Sequence, residues 1–69
     1  MSEWEAIIVN DPDDDYNLVI ELELDDDCVG VIRKRSGKLE VVFLTSMDNI
    51  AIPGDWLAEI LNRAAVELT

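Results

Sequence analysis

Eleven carboxylates crowd the first 27 residues of this 69-residue chain, and no lysine or arginine accompanies them. They are Glu3, Glu5, Asp11, Asp13, Asp14, Asp15, Glu21, Glu23, Asp25, Asp26 and Asp27. Acids so placed can hold a hard cation, work as an acid–base pair, or present charge to a basic partner. The cation reading starts at Asp11-Pro12-Asp13-Asp14-Asp15-Tyr16-Asn17, which opens like a calcium loop with acids at positions one, three and five. It breaks where such a loop is strictest, because Tyr16 replaces the glycine of the sharp turn and Leu22 the bidentate glutamate. That leaves weak divalent-cation binding and no dedicated metal site. The acid–base reading needs a substrate cleft that a chain this short can hardly form. There is also no histidine, which removes the usual general base, the commonest metal ligand and any Ser-His-Asp or Cys-His arrangement. Cys28, the single cysteine, lies in an apolar strand pattern with no base evident, and reads as a structural thiol in a reducing compartment. Gly30, Gly37 and Gly54 are too scattered for a phosphate loop. Neither an enzyme nor a cofactor is expected, and presentation of charge remains.

From Cys28 onward five acids and five bases cancel, so the net charge of −11 belongs entirely to the N-terminal part. Summed charge governs association and steering rather than fold. Solubility of a small domain needs a net charge of only about 2–8. The surplus here is larger and segregated, which points to a basic partner, and the commonest strongly basic surfaces are those built to hold nucleic acid. The chain itself is not expected to bind nucleic acid. Its basic turn, Arg33-Lys34-Arg35-Ser36-Gly37-Lys38, between strands and ahead of a Trp-containing helix loosely resembles the small single-strand-binding transcription coactivators. The acid surplus would repel phosphate, so that turn is expected to ion-pair with the acids instead.

The elements that must position these acids are legible from period and punctuation. Trp4–Val9 is a β-rich run stopped by Asn10-Asp11-Pro12. Tyr16–Leu24 alternates: Tyr16, Leu18, Ile20, Leu22 and Leu24 point one way, and Asn17, Val19, Glu21 and Glu23 the other. After an Asp25-Asp26-Asp27 turn, Cys28–Lys34 and Leu39–Thr45 are strands joined around Gly37. Trp56, Leu57, Ile60, Leu61, Ala64 and Leu68 then recur at helical spacing from about Gly54 to Leu68, with Pro53 suited to the first turn and Asp55 to the helix dipole. Ile50–Ile52 is a candidate fifth strand. One domain spans 1–69, an α+β antiparallel meander of four strands with one C-terminal helix on one face. The face opposite the helix, with Glu5, Ile7, Val9, Val19, Glu21 and Glu23, is expected to be covered by loops and long side chains, with a dimer or a partner packing there as the alternative. Trp56 reads as core, whereas Trp4, between Glu3 and Glu5, fits either a core position or an interface anchor. With no basic flank and long apolar run at the start, and no stretch able to span a bilayer, a soluble cytoplasmic protein is expected.

As an array, Glu21, Glu23 and Asp25 share one strand face about 6.8 Å apart at ~3.4 Å per residue, comparable to successive phosphates along a nucleic-acid strand. The clusters Asp11–Asp15 and Asp25–Asp27 would lie roughly 30 Å apart across the second strand at the same rise. Two carboxylate clusters joined by an acidic strand copy a duplex edge, and a basic DNA groove would attract them quickly and salt-sensitively. The run SEWEAIIVNDPDDDYNLVIELELDDD, then strands and a WLAEILNRAA helix, resembles the small acidic phage anti-CRISPR proteins of the DNA-mimic kind that act on type I-C systems. The resemblance implies a protein that occupies the DNA-entry surface of the surveillance complex, on its large subunit, and blocks recognition of the protospacer-adjacent motif. The charge reading puts the contact on Asp11, Asp13, Asp14, Asp15, Glu21, Glu23, Asp25, Asp26 and Asp27 of a monomer. An immunity protein neutralising a basic nuclease toxin is the alternative.

Overall fold

Four alternating segments pair in sequence order. The computed structural model describes residues 3–44 and 50–68, the Asp14 side chain apart. β1 (Trp4–Asp11) leads through a single 3-10 turn (Pro12–Asp14) to β2 (Asn17–Leu24), β3 (Asp27–Arg35), β4 (Lys38–Phe43) and α1 (Gly54–Glu67). The strands form one antiparallel sheet in the order β1-β2-β3-β4, and α1 packs on one face, which is the expected α+β meander. Among the described residues no helix is long and apolar enough to cross a membrane.

The hairpin turns are tighter than the sequence signals suggest. Asp25 and Asp26 have φ of 51° and 73°, and Ser36 and Gly37 have 53° and 77°. Positive φ at both central residues marks the two-residue I′ turn, whose twist matches that of the flanking strands. Asp27 and Arg35 are therefore ladder residues, opposite Leu24 and Lys38, rather than turn residues. β1 likewise runs past Val9, because Asn10 and Asp11 find partners in Leu18 and Asn17. β4 ends at Phe43 instead of reaching Thr45, which lies outside the described residues. Ile50–Ile52 is no strand. Ile50 instead lines a depression with Leu24, Cys28 and Val29 at the β2–β3 turn, and three residues ahead of a proline are too few to compete for a sheet edge.

The core joins Ile20, Leu22 and Ile32 of the central strands to Ile60, Ala64 and Leu68 of the helix. Trp4, Ala6, Ile8, Leu39, Val41, Trp56, Leu57 and Leu61 pack around it, so all six positions of the apolar helical stripe face the sheet. The Leu68 N–H donates to the Ala64 carbonyl at 2.8 Å and closes the helix. At the other end Pro53 is the N-cap rather than part of the first turn, and it supplies no side-chain acceptor; Asp55 lies in that turn. Trp4 proves to be a core-edge residue. Its ring centroid lies 5.5 Å from that of Trp56, tilted by 44°, an arrangement worth about 0.5–1.5 kcal/mol beyond area burial.

The helix is shorter than the sheet face it covers. Leu18 fits the inward alternation yet is 42% exposed, whereas Tyr16, expected to open the second strand, lies in the turn ahead of β2 with φ of 59° and is 69% exposed. On the opposite face Val19 is 1% exposed and Ile7 38%. The cover expected there thus forms over Val19 and fails over Ile7. Val19 sits in a depression of about 510 Å³ with Val9, Val31 and Val42, flanked by Pro12 and Arg33.

Ile32 lies at the centre of this core with no exposed surface. Ile32→Ala should cost about 2–5 kcal/mol, a large share of what so small a core supplies. Thermal unfolding followed by circular dichroism should show a collapse of the melting temperature, with the exposed Val66→Ala unchanged. An Ile32→Ala melt like that of the parent would place the core elsewhere.

Candidate partner-binding surface

Pairing of β1 with β2 sets Glu5 directly opposite Glu23. The β2–β3 turn adds Asp25, Asp26 and Asp27, all exposed. Glu3 joins them through its backbone: its N–H donates to Asp25 Oδ1 at 2.8 Å, and its carbonyl accepts from the Asp25 N–H at 3.0 Å. Six carboxylates, Glu3, Glu5, Glu23, Asp25, Asp26 and Asp27, thus share the β2–β3 end of the sheet, and no strand or turn residue there is basic. Glu21 continues the row one step inward, opposite Ile7 and Val31. Glu3 and Glu5 are absent from the sequence-derived contact set. A hairpin centred on Asp14 pairs position 5 with position 23, and that arithmetic is the signal that finds them.

Asp25 does not share a strand face with Glu21 and Glu23, as its spacing suggests. It sits beyond Leu24 in the left-handed conformation, with one carboxylate oxygen committed to Glu3. A turn of two residues reverses the chain before the alternation can reach it. Glu21 and Glu23 keep the spacing of about 6.8 Å expected at ~3.4 Å per residue. Opposite them β3 carries a bulge: Leu22 pairs with Gly30 but Glu23 pairs with Cys28, leaving Val29 as the extra residue. Gly30 suits this place, since a Cβ there would lie 3.2 Å from the Val42 carbonyl oxygen.

The other acidic cluster lies at the opposite end. Asp11 caps the 3-10 turn, its Oδ1 accepting the Asp13 N–H at 2.9 Å. Asp14 contributes backbone to that turn, and Asp13 and Asp15 are exposed. The eight residues of β2 hold the two clusters about 27 Å apart at ~3.4 Å per residue, within a body 33 Å in its longest dimension. The two ends differ electrostatically. The β3–β4 turn brings Lys34, Arg35 and Lys38 to the same end as Asp11, Asp13 and Asp15. The β1–β2 and β3–β4 turns are centred two strand spacings apart, about 9.6 Å at ~4.8 Å each, so the opposite charges there offset each other over about one Debye length. The β2–β3 end has no such counterweight. Arg33 of the basic turn reaches Glu40 on the neighbouring strand at 3.3 Å, and on the helix Arg63 pairs with Glu67 at 3.2 Å.

Cys28 is half-buried rather than fully enclosed. Its thiol lies 3.9 Å from Glu21 Oε2 and 3.6 Å from the Gly30 carbonyl oxygen. Burial first, and the Glu21 charge second, push its pKa above the ordinary 9.0. The thiolate is what attacks electrophiles, so this geometry suppresses nucleophilic chemistry.

Two outcomes follow from these contacts. Like charges directly opposed across strands destabilise by about 0.2–1 kcal/mol. Glu5→Lys should therefore raise the melting temperature by a few degrees, since ~1 kcal/mol moves a domain of this size by about 4–8 °C; a lower melting temperature would mean that Glu5 and Glu23 do not oppose each other. For the thiol, alkylation by iodoacetamide at pH 8 should be slower than that of an unstructured cysteine peptide, and faster in Glu21→Gln. A thiol pKa raised by folding stabilises the protein below the unfolded value, and that contribution fades as pH rises above about 9 toward the folded value. Equal alkylation rates in the two proteins would exclude the Glu21 effect.

The chain matches no protein-family model, no curated protein and no solved structure.

Proposed function

We propose that this protein is an anionic DNA mimic, an inhibitor that occupies the DNA-binding surface of a type I CRISPR surveillance complex. The observation that carries the reading is the β2–β3 end, where six carboxylates gather and, among the described residues, no strand or turn residue is basic. Glu5 facing Glu23 works against folding, so this concentration of charge is kept at a cost to stability. A basic surface shaped for phosphates, as on the large subunit where the protospacer-adjacent motif is read, would be steered toward it and screened from it by salt. The monomer would act in the host cytoplasm, binding protein and no nucleic acid.

Replacing Asp25, Asp26 and Asp27 together with asparagine tests the role of this end. The fold should survive, because asparagine suits positive φ and its Oδ1 can still accept the Glu3 N–H. Inhibition of target-DNA binding by a purified type I-C surveillance complex should weaken at least tenfold, and the salt dependence of association should flatten. Full potency in a well-folded triple variant would refute the reading. Recovery of a basic nuclease from lysate, displaced by high salt and not by target DNA, would transfer the protein to the immunity class.

A further inference from the structure

We infer that Tyr16 anchors the partner contact at the β1–β2 turn, its ring stacking on an arginine or lysine of the basic surface. The inference rests on the DNA-mimic reading and adds to it a contact that is not an acid. Tyr16 is 69% exposed, whereas Trp4 and Trp56 are built into the core edge. Packing therefore does not explain its presence. Its backbone is unusual as well, since Asp15 and Tyr16 have φ of 53° and 59°. Aspartate tolerates that region; a bulky aromatic seldom enters it, and glycine or asparagine would be at ease there. A residue held in a sparsely populated conformation by its surroundings points to a use for its side chain.

The surroundings do hold it. The Tyr16 N–H donates to the Asp11 carbonyl at 2.8 Å, and Asn10 Nδ2 donates to the Tyr16 carbonyl oxygen at 2.8 Å. A backbone fixed from both sides reduces the ordering cost of binding. The exposed Asp13 and Asp15 precede Tyr16 in the same turn. An aromatic face beside carboxylates suits a cation, and above all a guanidinium, which can stack on a ring while hydrogen-bonding an acid. Tyrosine in such a setting is a common interface hot spot. A second copy of the chain is the wrong occupant, because each carries a net charge of −11.

Tyr16→Gly separates ring from backbone, since it relieves the left-handed φ while deleting the side chain. Binding to the purified type I-C surveillance complex should weaken about tenfold, with the salt slope unchanged because no charge is lost. The melting temperature should hold or rise. Tyr16→Phe, which keeps the ring face, should bind within about twofold of the parent. If Tyr16→Gly melts lower, Tyr16→Asn gives the same comparison. Parent-like binding by the glycine or asparagine variant overturns the anchor, and the mimic reading stands if the triple asparagine variant still loses inhibition. Failure of the parent chain to bind the complex overturns both.

Discussion

Trp4 lies opposite Leu24 and Asp11 opposite Asn17, and this one register between β1 and β2 settles both the core and the charge. It turns Trp4, Ala6 and Ile8 toward the helix and Glu5, Ile7 and Val9 away from it. A slip of one residue would exchange the two sets, exposing a tryptophan and burying a glutamate. The same register places Glu5 against Glu23 and Glu3 beside Asp25. The sheet cannot form its core without also bringing Glu3, Glu5 and Glu23 to the end that carries Asp25, Asp26 and Asp27.

That coupling explains which features are legible in the chain. Strand and helix periods mark burial, so the four strands and the helical stripe from Trp56 to Leu68 read directly. Trp4 resists such reading because its neighbours are acids and its only aromatic partner lies 52 residues away, a contact that no local pattern encodes. Val19 resists it because it is buried on the face away from the helix, where it lies beside Val9, Val31 and Val42. Alternation also fails at Tyr16, where the chain is still turning with positive φ, and at Leu18, which points inward yet stays partly exposed. In the acidic surface, the identities of the acids are plain from sequence. Their division into a compensated and an uncompensated end is a property of topology, since it depends on which turns share an end.

The division narrows what the surface can do. Close to Lys34, Arg35 and Lys38, the Asp11–Asp15 turn presents a mixed potential, suited to a contact that needs orientation as well as attraction. The β2–β3 end presents one sign only and acts at longer range. The thiol nearest the acids has its pKa pushed up by burial and by Glu21.

The opposition of Glu5 and Glu23 also makes ionic strength a two-way lever. Added salt screens repulsion within the free chain and so favours its folded state, while it weakens attraction to any basic partner. A basic surface would relieve the same repulsion on contact, so the bound chain should be more stable than the free one by mass action as well as by neutralisation. Dilute buffer is then the condition in which the free protein is weakest and its complex strongest, and a partner would protect it most where it folds least well alone.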